Sequence, residues 1–131
     1  MSEKENIKSA FFITFSGNCK KALTIYQACF GGVLHFDTFD KPIDGIKDSP
    51  IVSGSLISEK MTIHGSDLVH NQGRQIGNHI AIYIACDSHE QRLYYLQKLD
   101  NNHQYDSLKK YSDQKLIEIV DAFNVAWIFG V

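Results

Sequence analysis

Residues 10–21 read AFFITFSGNCKK and residues 79–90 read HIAIYIACDSHE, and laying one over the other decides the fold. In the first stretch Phe11, Ile13 and Phe15 alternate with Phe12, Thr14 and Ser16; in the second Ile80, Ile82 and Ile84 alternate with His79, Ala81, Tyr83 and Ala85. Side chains alternate across a strand, so each stretch predicts a strand with one apolar face. Each is followed by a polar residue able to cap a helix: Asn18 in the first, Asp87 with Glu90 three positions on in the second. The offset is 79 − 10 = 69 residues, and it also lays Asn18 on Asp87 and Tyr26 on Tyr95. Agreement of strand length, cap position and helix phase at one offset predicts an internal duplication. The competing reading is an ordinary α+β sandwich in which two unrelated strand and helix pairs match by chance.

Outward from these stretches the same order of elements emerges twice. After Asn18, the residues Ala22, Ile25, Tyr26, Cys29 and Phe30 recur at the three-and-four spacing of an amphipathic helix. Gly31 and Gly32 end it, since glycine accepts the backbone of a helix C-cap. Phe11, Phe15 and Phe30 are expected in the core beneath that helix. The β-rich stretch GVLHFDTF, residues 32–39, precedes a loop at 41–50 that carries both prolines. Residues 51–57 and 61–64 predict two further strands joined by a tight turn at Glu59 and Lys60. Residues 66–77, with Asn71, Gly73 and Gly77, predict a linker. Beyond the second first-strand, Leu93, Leu96 and Leu99 give a helical stripe, and residues 104–107, 115–120 and 125–129 complete the strands. The expected class is therefore α+β, with one domain built from two βαβββ modules, module one at about residues 8–67 and module two at about 78–131.

Composition bounds what such a chain does. At 131 residues it has the size of one domain and buries roughly two thirds of its unfolded surface, enough for a core. Its 44% apolar and 21% charged residues and its net charge of −2 are ordinary for a globular protein. The lysines at 4, 8, 20, 21, 109 and 110 are scattered and balanced by acids, so no basic stripe points to nucleic acid. No apolar run reaches the length of a membrane span, and the N-terminal MSEKENIKSA lacks the order of a secretory signal. Cys19, Cys29 and Cys86 are odd in number and not closely paired, which predicts reduced thiols and a cytoplasmic setting. None has an acid and histidine partnership in the sequence, so all three are read as structural.

The segment ITFSGNCKKALTIYQACFGG, at residues 13–32, resembles the opening of the PhnB-like branch of the vicinal oxygen chelate superfamily, the glyoxalase, bleomycin-resistance and dioxygenase relatives. The elements that carry the resemblance are Gly17, Asn18, Tyr26, Phe30 and Gly31. LISEKMTIHGSD is similar to the family's hairpin ending in Ser-Asp, and VDAFNVAWIFGV to its closing Asp-Pro-Phe-Gly-Val-x-Trp pattern. There Ala122 stands for proline and Asn124 for glycine; asparagine tolerates the left-handed backbone, so the turn is expected to survive. The resemblance implies that the two modules curve into an open half-barrel cup, often in a homodimer. It constrains fold more than function, because relatives include metal-dependent lyases, isomerases and dioxygenases as well as drug-sequestering proteins without catalysis.

The resemblance also implies where metal ligands would sit: at the start of each module's first strand and on each module's last strand. Those positions are held here by Ala10, His79, His64 and a residue near Ile128. Two of them cannot coordinate anything, whereas a catalytic divalent site takes about three protein ligands. The metal site therefore reads as largely erased, with His79 and His64 its remaining candidates and Glu118 a replacement without motif support. His79 has three open readings: metal ligand, polar contact to an organic ligand, or hydrogen-bonded structural residue. Phe12, Thr14 and Tyr83, together with His64 and His79, are the expected ligand-binding residues, ahead of Trp127, which has the other parity from Ile128. A methyltransferase label sometimes attached to PhnB-like proteins finds no glycine-rich cofactor loop here, since Gly31-Gly32 follows a helix rather than opening one. The expectation is a small-molecule-binding protein with its ligand in the inter-module cup, no obligatory cofactor, and no nucleic-acid or membrane partner. The alternatives are a metal-dependent enzyme of the same superfamily, using a divalent ion, and a structural homodimerisation module.

Overall fold

The computed structural model describes residues 9–38, 51–67, 76–77, 79–100 and 114–131. The chain divides into two compact units, Met1–Gln75 and Ile76–Val131, with the boundary inside the expected linker. The expected loop at 41–50 and strand at 104–107 lie outside the described residues.

In the first unit β1 (Phe11–Thr14), α1 (Cys19–Phe30), β2 (Val33–Thr38), β3 (Ile51–Ile57) and β4 (Thr62–Ser66) follow in the predicted order. The sheet order is β1-β4-β3-β2, with β1 parallel to β4 and the other pairs antiparallel. The tight turn at Glu59 and Lys60 is present, closed by the Ser58 amide donating to the Met61 carbonyl at 3.0 Å. Helix α1 buries Cys19, Ala22, Leu23, Tyr26 and Cys29. Ile25 and Phe30, expected in that stripe, are half-buried, and Leu23 and Cys19 take the inner places instead. Phe15 is fully buried, whereas Phe11, the first residue of β1, remains 41% exposed.

Two glycines decide how closely α1 lies on its sheet. Gly54 and Gly65 are register partners on β3 and β4. A Cβ on Gly65 would stand 3.0 Å from the Cys19 sulfur and 2.9 Å from Phe15, and one on Gly54 would stand 3.1 Å from Leu23. The pair therefore opens the floor into which Phe15, Cys19 and Leu23 pack. At the helix end, Gly32 has φ +107 and its would-be Cβ points into the Ile57 carbonyl, so the backbone and the neighbouring strand both demand glycine.

The start of α1 departs from expectation. Asn18 holds the N-cap position but its side chain makes no cap hydrogen bond, and its buried Oδ1 has no partner. The cap is supplied from 48 residues away: Asp67 Oδ1 accepts from the Gly17 amide at 3.0 Å and the Cys19 amide at 2.9 Å. Its Oδ2 accepts from the Ile51 amide at 2.9 Å. Asp67 is 2% exposed, so one carboxylate ties together the end of β4, the start of β3 and the start of α1. Cys19 sits beside it, and burial, with the Asp67 charge second, pushes its thiol up from 9.0 to about 12.

The second unit contains β5 (Ile82–Ala85), α2 (His89–Leu99), β6 (Leu116–Val120) and β7 (Ala126–Gly130). Its described strands are ordered β5-β7-β6, with β5 parallel to β7 and β6 antiparallel to it. That is the relation β1, β4 and β3 have in the first unit, so the topology repeats among the described strands. The strand expected from His79 begins later, at Ile82. The cap of α2 is also one residue on from the expected Asp87: Ser88 accepts from the Gln91 amide at 3.0 Å, and Gln91 Oε1 accepts from the Asp87 amide at 2.7 Å. Serine and glutamine thus stand in for the expected Asp87 and Glu90, in a variant of the capping box in which the Gln91 side chain reaches the amide one residue before the cap. The two N-caps are thus 88 − 18 = 70 residues apart, one more than the strand alignment suggested.

Ile82, Ile84, Ile117, Ile119, Trp127 and Phe129 form the buried face of the second sheet, with Tyr95, Leu96 and Leu99 of α2 also buried. Tyr95 and Phe129 approach with ring centroids 5.9 Å apart. Leu93, expected in the helical stripe, is half-buried; the buried position before Tyr95 is Arg92, which donates to the Lys115 carbonyl at 3.3 Å. The β6–β7 turn is built on Asp121, whose Oδ1 accepts from the Phe123 and Val125 amides and whose Oδ2 accepts from the Trp127 indole at 2.9 Å. Asn124 adopts φ 66, the left-handed backbone expected where the resemblance has glycine.

Candidate functional site

Each sheet has a face turned away from its helix, and strand alternation decides which side chains stand there. In the first unit the register places Phe12 beside His64, His64 beside Ser55, and Ser55 beside His35. Register partners share a face, so these residues form one row across β1, β4, β3 and β2. The neighbouring rows, Ile13, Gly65, Gly54 and Phe36 and then Phe11, Ile63, Leu56 and Leu34, have the opposite parity and face α1. Phe12 is 67% exposed, more than Phe11 at 41%. His64 and Ser55 are half-buried. At the far end of the row, His35 Nε2 lies 3.7 Å from Asp37 Oδ1, with both side chains 67% exposed. Such an exposed pair contributes little to stability. Thr14 stands two residues along from Phe12 on the same face, half-buried and in register with Ser66.

In the second unit the corresponding row is Tyr83, Ile128 and Glu118 across β5, β7 and β6. Tyr83 is 58% exposed, and its ring lies over Gly130, whose would-be Cβ meets Tyr83 Cε2 and Cζ at 3.0 Å. Leu116 and Val120 share the parity of Glu118 and are 59% and 50% exposed. Trp127 is fully buried on the other face, where its indole holds Asp121.

Of the five residues singled out in the sequence, Phe12 and His64 are direct neighbours, Thr14 shares their face, and Tyr83 stands on the open face of the other unit. His79 is exposed and precedes β5, its ring close to Gly77. His35 and Ser55 were not singled out. The turn at Ser58 and Met61 carries the signal for Ser55: a hairpin closing there pairs positions that sum to 119, and 55 + 64 is 119. His35 is placed by the β2–β3 pairing, whose connecting loop offers no comparable register mark.

The metal reading needs a convergent donor set. Among the described residues no three His, Cys, Asp or Glu side chains come together as a metal site. His64 has Phe12 and Ser55 as its direct cross-strand neighbours, one without donor atoms and the other a hydroxyl. Within each unit, the described donors do not assemble the three or so protein ligands that a catalytic divalent ion takes. All three cysteines are free thiols, and the burial that pushes the Cys19 thiol up disfavours the thiolate form that nucleophilic attack uses.

Solved structures share this arrangement of strands and helices. A Bacillus cereus protein named PhnB, provisionally assigned as a 3-demethylubiquinone-9 3-methyltransferase, superposes with a TM-score of 0.73 at 17% identity, over 95% of this chain and 98% of its own. Protein PA1353 of Pseudomonas aeruginosa superposes with a TM-score of 0.68 at 18% identity, over 95% of this chain and 96% of its own. A gene product of Arabidopsis thaliana does so at 0.62 and 13%, over 95% and 98% of the two chains. The likeness is one of fold. No family model and no curated protein sequence matches the chain. No helix among the described residues is long and apolar enough to cross a membrane.

Proposed function

We propose that this is a PhnB-like small-molecule-binding protein that works without an obligatory metal and holds an organic ligand on its open sheet faces. One observation carries the reading: Phe12 stands 67% exposed directly beside His64, an aromatic surface next to an imidazole, with the Ser55 hydroxyl next in the row. Small-ligand sites combine apolar contact area with a few placed polar groups, and an exposed aromatic ring beside an imidazole offers both. Tyr83 supplies a second exposed ring with a hydroxyl, and Thr14 a further hydrogen-bonding group. His79 belongs to the proposal as a polar contact from an exposed position. The cup implied by the resemblance to the vicinal oxygen chelate superfamily is part of the same proposal.

The test is a ligand screen by protein-observed NMR with a library of small aromatic and aliphatic compounds. Binding that perturbs residues of β1 and β4, and that weakens in Phe12→Ala, His64→Ala or Tyr83→Ala with unchanged circular dichroism, is the expected result. A library without a single binder overturns the proposal.

A second reading, a homodimerisation module, is favoured by the apolar surface of the second sheet. Tyr83, Leu116 and Val120 are each at least half exposed there. Sedimentation velocity of the wild type and of Leu116→Glu distinguishes it, since a dimer lost in the variant supports this reading.

A further inference from the structure

The row across the first sheet has a directional chemistry that goes beyond binding in general. It begins with an aromatic ring, Phe12, continues through an imidazole, His64, and a hydroxyl, Ser55, and ends at a second imidazole, His35. Neighbouring strands are about 4.8 Å apart, so the row is roughly 14 Å from end to end. A monocyclic compound with one polar substituent spans the first two or three of these positions. Its polar members are hydrogen-bond donors or can present one: an imidazole N–H at His64, the hydroxyl at Ser55, and the flanking hydroxyls of Thr14 and Thr62. The acid on this part of the face, Asp37, lies next to His35 at 3.7 Å, at the end of the row away from Phe12. The end near Phe12 and His64 therefore offers a flat apolar surface and donors without a facing carboxylate among the described residues of this sheet.

We infer that the Phe12, His64 and Ser55 positions form a subsite for a planar conjugated compound bearing a carboxylate, its ring against Phe12 and its carboxylate accepting from His64 and Ser55. The inference rests on the small-molecule reading and narrows it to a class. A carboxylate is favoured over a neutral amide because the hydrogen bonds it accepts from the imidazole N–H and the hydroxyl are charge-assisted, about twice as strong as those to a neutral carbonyl. A planar ring is favoured over a saturated one because offset stacking requires a π-face. Neither preference involves a metal or a covalent step.

The experiment uses the full chain and four probes: benzoate, benzamide, cyclohexanecarboxylate and acetate. Binding is followed by the side-chain nitrogen resonances of His64 and His35 and by the amides of β1, β3 and β4. Benzoate is expected to move the His64 side chain and the Phe12 and Ser55 amides. Benzamide and cyclohexanecarboxylate are each expected to bind about tenfold more weakly, and acetate not measurably. His64→Gln, which keeps a donor, should retain most of the affinity, while His64→Ala and Phe12→Ala should each lose about tenfold. Both positions lie on the open face, so the fold is expected to survive, and the amide spectrum checks that it does. If benzoate binds without moving His64, or if benzamide binds equally well, the inference is overturned while the small-molecule reading stands on the wider library. If no probe binds although the wider library gives binders elsewhere, the inference is likewise overturned.

Discussion

Replacing Asp67 by asparagine tests the central claim about how the first unit is held together. The carboxylate accepts from three amides, Gly17 and Cys19 on one oxygen and Ile51 on the other, at 2.9–3.0 Å. Asparagine keeps the volume but turns one of the two oxygens into an NH2 group. In its best orientation the amide oxygen serves Gly17 and Cys19, and the NH2 faces the Ile51 N–H, donor against donor. An unsatisfied buried donor costs about 1–3 kcal/mol, and the two surviving bonds lose their charge assistance. Together these amount to roughly 2–3 kcal/mol. For a chain of this size that corresponds to a Tm lowered by roughly 8–12 °C. Asn18→Ala is the necessary control. A normal N-cap substitution costs about 1 kcal/mol, but the Asn18 side chain makes no cap bond and its Oδ1 is buried without a partner, so Asn18→Ala should leave Tm unchanged or raise it slightly. Differential scanning calorimetry of both variants decides the matter. An Asn18→Ala variant less stable than Asp67→Asn would refute the assignment of the cap.

Further outcomes follow from other groups. Stability should fall as pH rises from 9 towards 12, because in that interval the unfolded chain releases the Cys19 proton and the folded chain, with its thiol pushed up to about 12, does not; Cys19→Ala should flatten this decline in urea melts at pH 8, 9 and 10. Trp127→Phe leaves Asp121 Oδ2 without its indole donor and should cost about 2–3 kcal/mol by chemical denaturation. Gly31 and Gly32 look alike in sequence but should respond differently: Gly31→Ala meets open space and costs about 1–3 kcal/mol for its backbone at φ 72 and ψ −171 alone, whereas Gly32→Ala drives a Cβ into the Ile57 backbone and should fail to fold or melt far lower. Equilibrium dialysis against zinc, manganese and iron(II), followed by metal analysis, should find no tightly held equivalent per chain; one equivalent that disappears in His79→Ala would contradict the metal-free proposal.

The described strands of both units were legible, to within a few residues at their ends, because alternation is a local property. Phe15 and Ile84 point to cores and Phe12 and Tyr83 away from them, as the sequence alone shows. The glycine stop after α1, the hairpin at Glu59 and Lys60, and the left-handed Asn124 were legible for the same reason: each depends on backbone preferences within a few residues. What could not be read depended on distant partners. Asn18 looks like a cap, but Asp67 arrives through β4 to take its place. Ser88 and Asp87 are adjacent cap candidates, and only the reciprocal bond to Gln91 separates them. Arg92 is buried against β6 where the helical pattern suggested Leu93, because its guanidinium reaches a carbonyl that only the tertiary structure supplies. Of the site, His64 came from the resemblance alone, while alternation gave the faces of Phe12, Thr14 and Tyr83. It could not give the neighbours, since cross-strand register depends on the connecting loops.

The remote origin of the α1 cap bears on autonomy. A peptide spanning residues 10–32 carries the strand, the helix and its glycine stop, yet lacks the carboxylate that satisfies the helix's first amides. Helix α2 carries its own start signal in Ser88 and Gln91, within four residues. The first helix therefore lacks the acceptor for its first amides until the chain has been synthesised beyond residue 67, whereas the second has its cap within its own first turn. Any cut or circular rearrangement between residues 32 and 67 puts a helix and the group that caps it on different segments.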